Sequence, residues 1–351
     1  MSSPVERAPN PNKPNLREKS FLEAVRDTLA HAMRADPTVI VLGEDIAGGA
    51  GQGPPLEGAM GGTFGATKGL LEEFGPRRVR DTPISEAGFV GAAVGAAMSG
   101  LRPVVDVMWA SFTPYCFDQL VNQAAKMRYM SGGQATIPLV LRMAAGAGLR
   151  AAAQHSDTFY PLFTHIPGLK VVVPGTPAEA EGLLLAAIDD DNPVVFIEHM
   201  ALYRERGLVP AEPTPMALGQ LGVVRPGGDA TVACVGQALR AGLDAADELA
   251  AGGVDVEVIS LRTLSPLDLD GLTASVLRTG RLIVVEESPP RCSVAADVAA
   301  SVTERAFTTL RHPPLRVNAA ASPVPFSPVL EDAWLPTAAR VATAVRTAVG
   351  E

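Results

Sequence analysis

The chain has 351 residues, 47% of them hydrophobic, and carries 29 Lys and Arg against 38 Asp and Glu, a formal net charge of −9. This balance argues against a polyanion-binding surface, so nucleic acid is not an expected partner. At roughly 100–200 residues per domain the length predicts two domains with sizeable cores. The 34 Gly and 30 Pro supply turns for many short elements without the period of a fibre.

Cys116, Cys234 and Cys292 lie far apart and fit neither a disulfide framework nor a CxxC metal pattern. A reducing cytoplasm is therefore the expected compartment. Residues 1–19, rich in Pro, Asn and charge with no apolar run, are expected to form a loose tail rather than a signal peptide. The most apolar stretch, residues 88–101, is only 14 residues long, so no membrane association is expected.

From residue 20 to 204 helical and strand-like segments alternate. Helices are predicted over 21–34, 70–74 and from Ser85-Glu86 to a C-cap near Gly100. Gly88, Gly91 and Gly95 lie on adjacent turns of that third helix and would let another backbone approach. Strands are predicted over 38–42, at Arg78-Val79-Arg80, and over 103–107, 137–142, 169–173 and 194–198. Such apolar runs separated by helices predict a parallel sheet covered on both faces, an α/β domain. Residues 205–227, rich in Pro, Gly and Glu, read as a connection. A second, smaller α/β domain is expected over 228–351, with strands at 231–235, 254–261 and 282–286 and helices at 238–251, 269–279, 294–310 and 337–349.

Residues 48–65 contain eight glycines but fit neither GxGxxG nor GxxxxGK[ST], so this is expected to be a mobile or surface loop rather than a phosphate cradle. Glu86 starts a helix directly after a strand, where open α/β sheets place their ligands. A carboxyl group among Ile84, Ala87, Phe89 and Val90 is suited to donate or relay a proton, and equally fits a glutamate favoured by the helix dipole. His155, among small residues after another strand, is a candidate acid/base group or a polar loop residue. His165, beside Ile166-Pro167, suggests a structural hydrogen bond. Asp189-Asp-Asp-Asn-Pro193, after a helix, offers oxygen ligands for a hard cation or is simply a solvated helix end. Phe112 reads as core.

The segments Thr82-Pro-Ile-Ser-Glu-Ala-Gly-Phe89, Gly95-Ala-Ala-Met-Ser-Gly-Leu-Arg-Pro103, Phe117-Asp-Gln119, Asn122-Gln-Ala-Ala-Lys126 and Arg128-Tyr-Met-Ser-Gly-Gly133 occur in that order. They are followed by Ala153-Gln-His-Ser156, His165-Ile-Pro-Gly-Leu-Lys-Val-Val172, the stretch from Val254 to Asp268, Ser322-Pro-Val-Pro-Phe326 and Leu330-Glu331. From about residue 20 to the end this resembles the β subunit of the thiamine-diphosphate-dependent decarboxylating component of 2-oxo acid dehydrogenase complexes. The resemblance implies a transketolase-like pyrimidine-binding domain followed by a transketolase C-terminal domain. It places Glu86 on the glutamate that hydrogen-bonds the cofactor's aminopyrimidine, and Phe112, with Ile84 and Met108, against that ring. It places His155 on a histidine used in substrate handling and transfer to a lipoyl group. Leu139, Ala187, Ile188, Asp190 and Asn192 fall on a potassium site.

The Gly-Asp-Gly motif that, in the family, carries the magnesium and the diphosphate is absent from this chain. The resemblance puts it on a separate α subunit. It thereby implies an α2β2 heterotetramer, inactive as this chain alone, with contacts to a second β subunit and to a lipoyl-bearing acyltransferase core. Segments such as 143–155 and Ile197-Glu-His199 are more similar to the acetoin branch than to the branched-chain branch, with pyruvate-type enzymes close. Asp157 stands where Gln is usual, and Arg291-Cys-Ser-Val-Ala295 replaces a more glycine-rich turn. The expected function is oxidative cleavage of pyruvate, another 2-oxo acid or acetoin with acyl transfer. The alternatives are the second half of a split transketolase or deoxyxylulose-phosphate synthase, or a non-catalytic assembly subunit.

Overall fold

A computed structural model describes residues 15–47 and 61–351. Residues 1–14 of the expected tail and 48–60 of the glycine-rich loop lie outside the described residues. The first elements are β1 (Leu16–Ser20), α1 (Phe21–Ala35), β2 (Val39–Gly43), α2 (Leu70–Phe74), β3 (Val79–Asp81), α3 (Glu86–Met98) and β4 (Arg102–Trp109). Then come α4 (Ala125–Met130), β5 (Val140–Ala145), α5 (Tyr160–Thr164), β6 (Lys170–Val172), α6 (Pro177–Asp189), β7 (Val194–His199) and β8 (Arg206–Pro210). The remainder comprises β9 (Gly222–Arg225), β10 (Ala230–Cys234), α7 (Ala238–Ala251), β11 (Val256–Ser260), β12 (Thr263–Ser265) and α8 (Leu269–Thr279). It ends with β13 (Leu282–Glu286), α9 (Val294–Ala306), β14 (Leu315–Asn318), α10 (Pro328–Trp334) and α11 (Ala338–Val349).

Local chemistry sets the helix starts. Ser20 and Glu23 form a reciprocal capping box on α1, with the Glu23 amide donating to Ser20 Oγ at 3.2 Å and the Ser20 amide donating to Glu23 Oε2 at 2.7 Å. Thr176, Asp268 and Ser293 cap α6, α8 and α9 through their side-chain oxygens. The Ser85 side chain does not cap α3. The Gly88 and Phe89 amides donate to the Ser85 carbonyl at 2.9 and 3.0 Å instead.

The first sheet has the order β12-β6-β7-β5-β4-β2-β3 among the described residues, parallel throughout except for β12. One face is covered by α1, α2 and α6 through Phe21, Val25, Leu29, Leu70, Leu183 and Leu184. The second sheet runs β14-β13-β10-β11-β9, with α7 and α11 on one face. A single apolar cluster joins the two domains: Tyr160 and Phe163 of α5 pack in it with Leu272 and Val276 of α8 and with Val298 and Val302 of α9. Each such side chain, fully buried, contributes about 1.5–3 kcal/mol.

The structure departs from the sequence reading at its edges. Residues 16–19 of the expected tail form β1 together with Ser20, antiparallel to β8, and the expected connection over 205–227 contains β8 and β9. These edge strands have one paired side and mostly exposed side chains, so no apolar run announces them. Strand β5 begins at Val140 rather than 137, because Pro138 has no N–H to give a ladder. Strand β12 comes from the second domain and completes the edge of the first sheet. Of the three α3 glycines only Gly91 is approached from another element among the described residues, with a Cβ there meeting Gln119 Cγ at 3.4 Å.

Candidate active site

The C-terminal ends of β2, β3, β4 and β5 lie on one edge of the sheet because these strands are parallel, which is where such sheets bind ligands. Ile84 and Glu86 follow β3, Met108 lies at the end of β4 and Phe112 just after it, and the His155 loop follows β5. The topology thus brings to one edge all four positions expected around the pyrimidine, together with His155.

Glu86 is half-buried at the start of α3, while Ile84 beside it is 74% exposed. The nearby Thr82 Oγ1 is buried without a hydrogen-bond partner. Burial, with the charges of Asp45 and Glu86, holds the Glu44 carboxyl above the ordinary carboxylate range. Burial, with a smaller contribution from Glu86, pushes the Cys116 thiol up to about 12. An apolar side chain left open beside a carboxyl group and an unpartnered hydroxyl suits a flat aminopyrimidine, which stacks on one and hydrogen-bonds the others.

Met108 adopts φ +66°, in the left-handed region that costs a residue with a Cβ about 1–3 kcal/mol. It sits at a shift of register, since Asp106 pairs with Arg142 but Trp109 pairs with Ala144, leaving one extra residue on β4. The Met108 amide donates to Asp106 Oδ1 at 2.8 Å, and Asp106 Oδ2 accepts from Arg142 Nη1. Arg142 Nη2 in turn donates to Glu198 Oε2 at 2.8 Å, and the Tyr203 hydroxyl donates to the same oxygen at 2.9 Å. Burial opposes the charge on Arg142, but Asp106 and Glu198 outweigh it and hold the guanidinium protonated. A buried ionic network thus fixes the bend that carries Met108 and Phe112.

The His155 ring stands edge-on to Trp109 at 4.9 Å and to Phe112 at 5.6 Å between centroids. Its loop contains Gly146, Gly148, Arg150 and Ala152, all at positive φ. Two glutamates of the second domain hold this loop. Glu287 accepts from the Ala147 amide and Glu331 from the Gly148 amide at 2.7 Å, while Arg150 Nη1 donates to Glu331 Oε2. Thr158 Oγ1 closes the far end on the Glu287 carbonyl at 2.8 Å. His199 Nδ1 accepts from the Ala201 amide at 3.2 Å, so Nε2 carries the ring proton and donates to Glu287 Oε2 at 2.7 Å. Glu287 has no signal of its own in the sequence, because its partners are about a hundred residues away or more.

A cavity of about 1120 Å³ opens beside His155, lined by Ser111, Phe112, Gln154, Asp157 and Phe159 on one side and by residues 289–291 and 321–323 of the second domain on the other. Glu86, Ile84 and Met108 do not line it. His165 is exposed and makes no side-chain hydrogen bond among the described residues, contrary to the role expected of it.

The expected potassium ligands are already engaged. Lys170 Nζ donates to Asp190 Oδ2, and the Asn192 amide donates to Asp190 Oδ1 at 2.8 Å. Arg102 Nη1 reaches the carbonyls of Ile188 at 3.1 Å and Asp190 at 3.2 Å. Arg128 Nη1 donates to Asn192 Oδ1 at 2.8 Å, and the Leu139 carbonyl accepts from the Val194 amide at 2.8 Å. With Ala187 buried in the core, these positions form a turn fastened by Lys170, Arg102 and Arg128. No group of three or more His, Cys, Asp or Glu among the described residues could hold a metal ion. No helix among them is long and apolar enough to cross a membrane.

Residues 17–206 match the family model for the transketolase pyrimidine-binding domain and residues 219–341 the model for the transketolase C-terminal domain. The chain therefore belongs to the transketolase family, whose members use thiamine diphosphate. Within it, the chain belongs with the β subunits of acetoin and pyruvate dehydrogenases. It is 48% identical over 333 residues to the β subunit of acetoin:2,6-dichlorophenolindophenol oxidoreductase of Bacillus subtilis, covering 95% of this chain and 97% of that one. The same subunit of Cupriavidus necator is 48% identical over 330 residues, covering 94% and 97%. The pyruvate dehydrogenase E1 component subunit beta of Bacillus subtilis is 42% identical over 322 residues, covering 92% and 95%. A solved split-gene transketolase, described as an inactive beta4 tetramer, shares the fold with a TM-score of 0.74 at 21% identity, covering 94% and 98%.

Proposed function

We propose that this chain is the β half of a thiamine-diphosphate-dependent dehydrogenase. With an α subunit, it cleaves the carbon–carbon bond beside the carbonyl of acetoin or a 2-oxo acid such as pyruvate, and the acyl fragment passes to a lipoyl group on an acyltransferase. The observation that carries this reading is the gathering of Glu86, Met108, Phe112 and His155 on one sheet edge, in a chain without a diphosphate motif.

Thiamine diphosphate, when bound, supplies a nucleophilic carbon and an electron sink. In this chain Glu86 would hold a proton at the aminopyrimidine ring, Ile84, Met108 and Phe112 would pack on its faces, and Thr82 would offer its unpartnered hydroxyl. His155, held between Trp109 and Phe112, would exchange protons with substrate or acceptor in the cavity it lines. The diphosphate and its magnesium would be held by the α subunit in an α2β2 assembly that also joins two β subunits. Potassium is not part of this proposal, given the Lys170, Arg102 and Arg128 contacts.

A split transketolase is disfavoured because no cluster of basic side chains lines the cavity for a sugar phosphate. A pure scaffold would have no use for the strained Met108 or the clamped His155 loop. The test is reconstitution with the α partner, thiamine diphosphate and magnesium, reading reduction of 2,6-dichlorophenolindophenol by acetoin and by pyruvate. Absence of reduction with both donors, or an unchanged rate in Glu86→Gln, would falsify the reading.

A further inference from the structure

Asp157 shares the cavity wall with His155, and the function proposed above leaves it without a task. We propose that Asp157 selects the substrate class: its carboxylate takes the hydroxyl proton of a 2-hydroxyketone and turns away a 2-oxo acid. The proposal rests on the dehydrogenase reading and narrows its substrate.

The geometry gives Asp157 one fixed and one free oxygen. Ser111 Oγ donates to Oδ2 at 3.0 Å, and Oδ1 has no partner among the described residues. Ser111 leaves β4 one residue before Phe112, whereas Asp157 follows β5 two residues after His155. The carboxylate is therefore carried on the His155 loop and anchored to the segment that holds Phe112. The walls around it, Phe112, Phe159, Pro289 and Pro290, are apolar. Among the lining residues the arginine is Arg291, which lies exposed, and no ion pair to Asp157 occurs among the described residues. Burial raises the Asp157 carboxyl above the ordinary range, against the smaller opposing effect of the Ser111 hydrogen bond. That shift makes the ionised form a stronger base.

The two substrate classes need different help at this point. A 2-oxo acid loses carbon dioxide without any proton being removed, and its carboxylate meets like charge at Asp157. A 2-hydroxyketone loses an aldehyde instead. The bond between the carbonyl carbon and the carbinol carbon breaks, and its electron pair stays with the former carbonyl carbon. The hydroxyl oxygen forms the aldehyde's C=O, and the hydroxyl proton passes to Asp157. No oxidant or reductant enters this step.

The experiment uses the reconstituted α/β complex with Asp157→Asn and Asp157→Glu. The Asn variant should lose about 100-fold in kcat/KM for acetoin, the usual scale of general-base help, with pyruvate unchanged or improved, and the Glu variant should recover most of the loss. A second readout needs no turnover: saturation-transfer NMR of acetoin and of pyruvate on the cofactor-free complex. Wild type should show transfer to acetoin alone, and Asp157→Asn should gain pyruvate. Equal losses for both substrates, or no change in the NMR selectivity, overturn the proposal. If the complex cleaves neither donor, the dehydrogenase reading fails by itself, and the NMR selectivity still decides the role of Asp157.

Discussion

His199 and Glu287 meet at 2.7 Å across the boundary between the two domains, each side chain only 1% exposed. The imidazole is fixed by the Ala201 amide, and the carboxylate also accepts from the Ala147 amide at the start of the His155 loop. One buried pair thus ties the His155 loop to the second domain.

Removing one partner leaves the other buried and unpaired. Glu287→Ala should lower the unfolding free energy by about 2–5 kcal/mol, because the buried His199 and Ala147 N–H groups each lose their acceptor. It should also raise amide exchange across residues 146–158, measured by hydrogen exchange with mass spectrometry. Unchanged protection of that loop would contradict the clamp.

Gly146 is a second element of this contact. A Cβ there would lie 2.0 Å from His199 Nε2, and the backbone is at φ +91°. Gly146→Ala must therefore displace the ring and strain the chain, with an expected loss of about 2–5 kcal/mol from the two effects together. The shift of the urea midpoint measures it.

Asp106→Asn should unlock the Met108 bend. Asparagine keeps an acceptor for the Met108 amide but weakens the pairing with buried Arg142, so a loss of up to about 3–5 kcal/mol is expected. In the reconstituted complex thiamine diphosphate should bind more weakly, read by calorimetric titration, while acetoin binding to the cofactor-free complex stays the same.

Glu286 carries a pH dependence. Burial raises its carboxyl pKa from 4.5, against hydrogen bonds that favour ionisation from the Ala295 amide, Ser293, Asn318 and Ser288. Since the folded value is the higher one, the folded state holds the proton more tightly. This contribution to stability is fully present below about 4.5 and is lost as pH rises through the raised folded value. Glu286→Gln should flatten that part of the stability profile, tested by urea unfolding at a series of pH values from 4.5 upward. An unaltered slope would argue against it.

The three cysteines should separate cleanly. Cys116 and Cys234 are buried, with burial pushing both thiols up, whereas Cys292 is exposed. A maleimide at neutral pH should label Cys292 alone in the native chain and all three in denaturant, counted by mass. Rapid native labelling of Cys116 would sink this.

The sequence made the interior elements legible where burial is two-sided or amphipathic. Helices α7 and α8 and strand β13 fall on the residues that their apolar patterns mark. Glu86 and His155 stood out as candidates from their places after predicted strands, but the choice of role for each, and any role at all for Phe112, which reads as core, came through motif resemblance, because a single carboxyl or ring carries no local period. Edge strands β1, β8 and β9 were missed, since half-exposed backbone has no strong pattern, and β12 because three residues are too few to show a period. The roles of Glu287, Glu331 and Ser111 depend on partners 46 to 183 residues distant, which no window along the chain can see.

Strand β12 lies beyond the boundary between the two family domains, yet it hydrogen-bonds to the edge of the first sheet at Val171 and Val172. Cutting the gene at that boundary would not yield two modules. The first piece would expose the open edge of β6 and the apolar face that α8 and α9 cover, and would tend to recruit another chain to both. During synthesis the same edge stays uncovered until the ribosome has released residue 265, so the first domain can finish only after much of the second has been made.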